Sequence, residues 1–87
     1  MQLLNDTILE AVHKMSSWHK AMLMEAKIYG CFYCLTITTL EQNPIKDWCD
    51  EGQTALCPRC GIDAIIPQHT TYLLTPDLLQ AMNNYWF

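Results

Sequence analysis

Hydrophobic residues in the first third of the chain recur at intervals of three and four, which is the spacing of one helix face. The series contains Ile8, Val12, Met15, Trp18, Met22 and Ala26. Asn5 and Asp6 are suitable N-cap residues, and no glycine or proline interrupts the pattern before Gly30. Gly30 itself suits the end of the helix. The pattern predicts one long N-terminal helix over residues 5–28.

After Gly30 the pattern changes to that of short strands. The β-branched and aromatic run at 32–40 predicts a strand, and "TALC" and "IDAIIP" predict two more on either side of a cysteine pair. Between them, Pro44 and Gly52 suit the start and end of a short inserted helix at 44–50. Thr75 as N-cap, followed by Pro76, predicts a C-terminal helix over residues 75–86.

The length of the chain limits what it can fold into. Its 87 residues are enough for a single domain, 1–87. So small a domain buries only roughly 60% of its unfolded surface and often carries a disulfide or a metal as a staple. With 51% hydrophobic residues the chain is too apolar to be disordered.

Charge and hydropathy exclude some partners. No stretch approaches the ~18 apolar residues of a membrane span, and the N-terminus has no secretory signal pattern, so we expect a cytoplasmic protein without a membrane partner. The formal charge of −4, with only five Lys and Arg, makes nucleic acid an unfavourable partner.

Four of the five cysteines form two C-x-x-C pairs, Cys31/Cys34 and Cys57/Cys60. Two tight turns that face each other can supply the four thiolates of a tetrahedral zinc site. In the second turn, Pro58 fixes φ and Gly61 allows a left-handed backbone. The pairs therefore predict one Zn²⁺ ion bound by all four cysteines. Bound zinc would bring the net charge to about −6.

Three other uses of these cysteines compete with a zinc site. A redox dithiol would need a C-x-x-C that opens a helix, whereas the second pair runs into β-branched residues. Two disulfides across such short turns would be strained, and the cytosol disfavours them. Iron accepts the same four thiolates, and the sequence alone does not separate it from zinc.

Nothing else in the sequence predicts catalysis. Four cysteines close the metal shell, whereas a catalytic zinc keeps one position open, so we expect a structural metal and no enzyme. His13 and His19 lie about 120° apart on the predicted helix and cannot bind one ion together.

Cys49 is expected to pack as a small hydrophobe. Tyr85, Trp86 and Phe87 are expected to dock on the core rather than to face a partner.

The expected fold is a small α+β zinc-binding domain. Its centre at 31–66 is predicted to be a zinc ribbon, since the residues after Cys60 resemble a strand. A treble clef, which would begin a helix there, is the alternative.

The chain also resembles a family of short bacterial and phage cytoplasmic proteins of unassigned function. The similarity lies in "GCFYCL", in "TALCPRCGID", in a later "TP.LL.AM" pattern and in the "WF" end. The resemblance implies a zinc-ribbon-like or treble-clef-like domain without catalysis. It transfers the ligand role to Cys31, Cys34, Cys57 and Cys60.

These observations favour a non-catalytic module that binds another protein, as an acidic adaptor or an inhibitor of a larger nucleic-acid-handling or defence machine. The partner could also be a second copy, bound through the long helix as a homodimer. The alternative is nucleic-acid binding by the ribbon, through Arg59 and Lys46.

Overall fold

A computed structural model describes residues 4–87, so residues 1–3 of the predicted domain lie outside the described part of the chain. Over residues 4–87 the fold is α+β, as predicted, with three α-helices and two small antiparallel sheets. The helices are α1 (Asp6–His13), α2 (Lys20–Ala26) and α3 (Pro76–Trp86), and the strands are β1 (Ile28–Cys31), β2 (Thr36–Thr39), β3 (Trp48–Cys49), β4 (Thr54–Ala55) and β5 (Ile65–Pro67). None of the described helices is long and apolar enough to cross a membrane.

The prediction of one continuous helix over 5–28 is wrong. After α1 and a short 3₁₀ turn, Lys14–Ser16, the chain bends at Trp18, whose φ is 50°. The Trp18 N–H donates to Thr54 Oγ1 at 2.8 Å, and the next two backbone N–H groups donate to the Gln53 carbonyl. These long-range bonds, in a Ser-Ser-Trp-His segment of weak helix propensity, replace the bonds that would continue the helix.

The last residues of that predicted helix form a strand instead. β1 is the central strand of the larger sheet, whose order is β2-β1-β5. Gly30 does not end a helix, because Lys27 is the C-cap of α2 with φ 65°. It lies in β1, where a Cβ atom would come within 3.1 Å of the Leu74 and Leu79 side chains. The glycine therefore allows α3 to pack closely on the sheet.

The predicted helix at 44–50 is also wrong. Trp48–Cys49 is strand β3, which pairs with β4 in a separate two-stranded sheet. Asp50, Glu51 and Gly52 all have positive φ in the turn between them. The Asp50 carboxylate accepts a hydrogen bond from Thr54 Oγ1 at 2.8 Å, which holds this turn.

The C-terminal helix lies where the sequence predicted it. Thr75 Oγ1 caps α3 by accepting from the Leu78 N–H at 3.1 Å, and Pro76 is in the first turn. The buried face of α3 packs on the sheet and on α1. The main core side chains are Leu23, Ile65, Ile66, Leu78, Leu79 and Met82.

Candidate metal centre

The two cysteine turns stand at the ends of paired strands. Cys31 ends β1, where it pairs with Thr36 of β2 on one side and with Ile65 of β5 on the other. The first turn thus joins β1 to β2, and the second turn leads into β5. Antiparallel pairing of these strands brings the two turns together at one end of the sheet.

The four predicted ligands meet in one place. The sulfur atoms of Cys31, Cys34, Cys57 and Cys60 all lie within 4.8 Å of one another. The Cys31–Cys60 and Cys34–Cys57 sulfur distances are 3.7 Å and 3.8 Å. These distances are far above the ~2.05 Å of a disulfide.

The spacing of the sulfurs fits a single tetrahedral ion. Four sulfurs placed at about 2.3 Å from one centre would stand roughly 3.8 Å apart, which is close to these two distances. An iron–sulfur cluster would hold its thiolates further from one another, because bridging sulfides separate its irons. The four cysteines could therefore coordinate one metal ion, and zinc or iron would both suit the donor set.

The two turns share one backbone geometry. Leu35 N–H donates to the Cys31 carbonyl, and Gly61 N–H donates to the Cys57 carbonyl, both at 2.8 Å. Leu35 and Gly61 also share a left-handed backbone, with φ of 61° and 78°. The first turn thus places leucine where the second has glycine, a match that the sequence did not suggest.

Backbone amides and burial shift the pKa of the cysteine thiols in opposite directions. Burial raises the pKa of Cys31, while the N–H groups of Tyr33 and Cys34 favour its thiolate. Burial likewise raises the pKa of Cys60, while the Ile62 N–H favours its thiolate. A bound cation would overcome the cost of burying the charge.

Three side chains outside the cysteines support the first turn. Asn83 of α3 donates its side-chain amide to the carbonyls of Phe32 and Tyr33, at 3.0 Å and 3.2 Å. Arg59 Nη1 donates to Thr36 Oγ1 at 3.2 Å. Sequence analysis gave none of these supporting roles, because each contact joins residues more than 20 positions apart.

The remaining candidates are not among the four clustered cysteines. Cys49 is half-buried in β3 and is not part of the four-cysteine group. His19 is fully buried, with Nδ1 bonded to the Met15 carbonyl and Nε2 accepting from the Ala55 N–H, so it is a satisfied histidine. The ring of His13 lies against that of Trp86, tilted by 31°, with ring centres 3.9 Å apart.

Models of known protein families, curated proteins and solved structures were compared with the chain, and none matches. The resemblance to short bacterial and phage proteins therefore stays a prediction.

Proposed function

We propose that the protein is a non-catalytic interaction module, stabilised by one structural zinc ion bound to Cys31, Cys34, Cys57 and Cys60. The observation that carries this proposal is the convergence of the four sulfurs within 4.8 Å. Four thiolates complete a tetrahedral shell and leave no position for a reacting water or substrate. A metal held in this way orders the surface around it.

The finer type of fold and the family belong to the same proposal. A zinc ribbon is favoured over a treble clef, because the chain after Cys60 enters strand β5, which pairs with β1. We also propose membership of the family of short bacterial and phage proteins, and a cytoplasmic location, on the sequence features given above.

Exposed aromatic side chains support a protein partner. Trp18 is 58% exposed and Phe87 is 61% exposed, although both are large apolar residues. Aromatic residues of this kind are enriched in protein interfaces and often supply most of the binding energy. The net charge of −4 favours a partner with a basic surface. Such a surface is found on nucleic-acid-handling machines, which the protein would serve as an adaptor or an inhibitor.

Affinity capture tests this function. Tagged, metal-loaded protein and the Cys57→Ser variant would each be incubated with nuclease-treated bacterial lysate, and bound proteins quantified by mass spectrometry. We expect a protein captured in near-stoichiometric amount by the wild type and not by the variant. Equal recovery of every protein by the two baits would contradict the proposal.

One observation favours nucleic-acid binding as a second candidate. Lys46 and Arg59 line the same groove, beside Asn43 and Pro58. The test is fluorescence anisotropy with labelled DNA and RNA across a salt series. Lys46→Ala is the more informative variant, because Arg59 also contacts Thr36. Salt-sensitive binding that Lys46→Ala weakens would support this function, and no binding at low salt would exclude it.

A further inference from the structure

Four exposed rings form one surface beside the metal centre. Phe87 packs edge-on against Tyr33 of the first cysteine turn, with ring centres 4.9 Å apart, and Tyr85 stacks on Trp86 at 4.8 Å. Tyr33, Tyr85, Trp86 and Phe87, which we call the aromatic patch, are 47%, 39%, 38% and 61% exposed. The prediction that the last three residues dock on the core thus describes only part of their surface.

Two rings of the aromatic patch pack against other rings of the protein. His13 lies 3.9 Å from Trp86, and the buried ring of Phe32 lies 5.8 Å from Phe87. Asn83, one turn before Phe87 on the same helix, is anchored to the carbonyls of Phe32 and Tyr33. Rings that are exposed and already held in place lose little conformational entropy when a partner covers them.

Carboxylates border the aromatic patch on one side. Asp6 and Glu10 lie one turn apart on α1, and His13 lies about one turn further along the same face. Because His13 contacts Trp86, this face of α1 lies toward the patch. The pKa of Tyr85 is raised by partial burial and then by the negative charges of Glu10 and Asp6, consistent with this placement.

We infer that the aromatic patch, with Asp6 and Glu10 at its edge, binds a basic amphipathic segment of a partner protein. Apolar side chains of that segment cover the rings, and its Arg or Lys side chains pair with the two carboxylates. Arg also stacks on the faces of Tyr and Trp rings. The rings of the patch and the two carboxylates therefore favour the same ligand. The inference rests on the proposed function, because it names the class of partner that the module binds.

Area and charge favour a segment over a second copy of the chain. The exposed part of the four rings is on the order of 400 Å², taking roughly 200 Å² for each complete ring. A stable protein–protein interface needs about 800 Å² on each side. A symmetric dimer through this patch would also bring Asp6 and Glu10 of both copies together, at a cost in repulsion. The same carboxylates repel nucleic-acid phosphates.

The test uses two labelled synthetic peptides with leucines at helical spacing. One carries Arg and Lys at the remaining positions, and the other carries Glu. We expect metal-loaded protein to bind the basic peptide at least about tenfold more tightly, since opposite charges border the patch. Asp6→Asn/Glu10→Gln should weaken binding roughly three- to tenfold, and Tyr85→Ser/Phe87→Ser about tenfold or more. Glu25→Gln on α2 removes a charge elsewhere and should change nothing.

Several results would overturn the inference. Equal affinity for both peptides would do so, as would Glu25→Gln weakening binding as much as the acidic double variant. A concentration-dependent dimer that Tyr85→Ser/Phe87→Ser dissociates would assign the patch to a second copy. Circular dichroism of each variant checks that its fold is intact. If the partner captured from lysate is retained by Tyr85→Ser/Phe87→Ser, this inference fails while the proposed function stands.

Discussion

Arg59 Nη1 donates to the Thr36 hydroxyl at 3.2 Å, and that hydroxyl lies 3.5 Å from the sulfur of Cys34. The contact joins the two cysteine turns outside the four sulfurs. The Cys34 thiol donates to this hydroxyl. Once Cys34 is a thiolate, the hydroxyl, which accepts from Arg59, still has its own proton to donate to the sulfur. The pKa of Cys34 is lowered, because hydrogen bonds with Thr36 and with the other thiols outweigh the effect of burial, which alone would raise it.

Removing this contact should weaken metal binding. Groups that hydrogen-bond around a metal ligand typically contribute 10- to 100-fold in metal affinity, so we expect Arg59→Ala and Thr36→Val each to weaken zinc binding by about tenfold. Competition with a chromophoric chelator measures this effect. Lys46→Ala is the matched control, because it removes a positive charge from the same groove. If Lys46→Ala weakened binding equally, general electrostatics rather than the Arg59–Thr36 contact would be responsible.

Replacing a metal-ligand cysteine should affect stability far more than replacing Cys49. Cys57→Ser should unfold the region around the two turns, because zinc binding to structural sites contributes on the order of 10–16 kcal/mol, as much as a small domain's whole stability. Cys49→Ser, in β3 and outside the four-cysteine group, should change stability by only about 1 kcal/mol. Thermal unfolding followed by circular dichroism compares them. A cooperative transition at the same temperature in Cys57→Ser would contradict a structural metal.

Leu35 and Gly61 allow a test of backbone strain. Both have left-handed φ, which costs a non-glycine residue about 1–2 kcal/mol. Gly61→Ala should therefore destabilise the protein by about 1 kcal/mol, and Leu35→Gly should be neutral or stabilising by up to about 1 kcal/mol. Urea titrations of the metal-loaded variants measure both changes. Destabilisation by Leu35→Gly similar to that of Gly61→Ala would show that Leu35 contributes more through packing than its strain costs.

His19 should make stability depend on pH. Its Nε2 accepts from the Ala55 N–H, so the ring must stay neutral, and burial lowers its pKa from the ordinary 6.5. Below pH 6.5 the unfolded chain takes up the proton first. The free energy of unfolding should therefore fall as pH decreases from 6.5 toward the lowered pKa, and stay constant in this respect above 6.5.

Denaturant titrations from pH 7.5 downward measure that slope. His19→Gln is the control, because it removes the titrating ring while any loss of metal at low pH remains. The slope should be smaller in His19→Gln than in the wild type. An identical slope in both proteins would assign the pH dependence to other groups.

The parts of the fold that the sequence predicted depend on local signals. The two C-x-x-C pairs identified the four sulfurs that meet, and Thr75 with Pro76 marked the start of α3. The strand predicted over 32–40 is shorter in the structure, Thr36–Thr39, because the residues before it form the first cysteine turn. The strand predicted from "IDAIIP" is Ile65–Pro67.

The errors arose where distant residues decide the structure. The apolar spacing around Trp18 is that of a helix, yet bonds from 18–20 to Gln53 and Thr54 break it. Gly30 looked like a helix end, and its role in β1 depends on the packing of Leu79 from α3. Asn83 carried no local signal for its contact with the first cysteine turn.

Native mass spectrometry of the purified protein tests most directly the claim that four cysteines hold one metal ion. We expect the added mass of one zinc ion per chain, lost on acidification and absent from Cys57→Ser. A metal-free chain lighter by two or four hydrogens, as disulfides would give, would contradict it. The mass of iron in place of zinc would show that the metal is iron, while the four-cysteine site would stand.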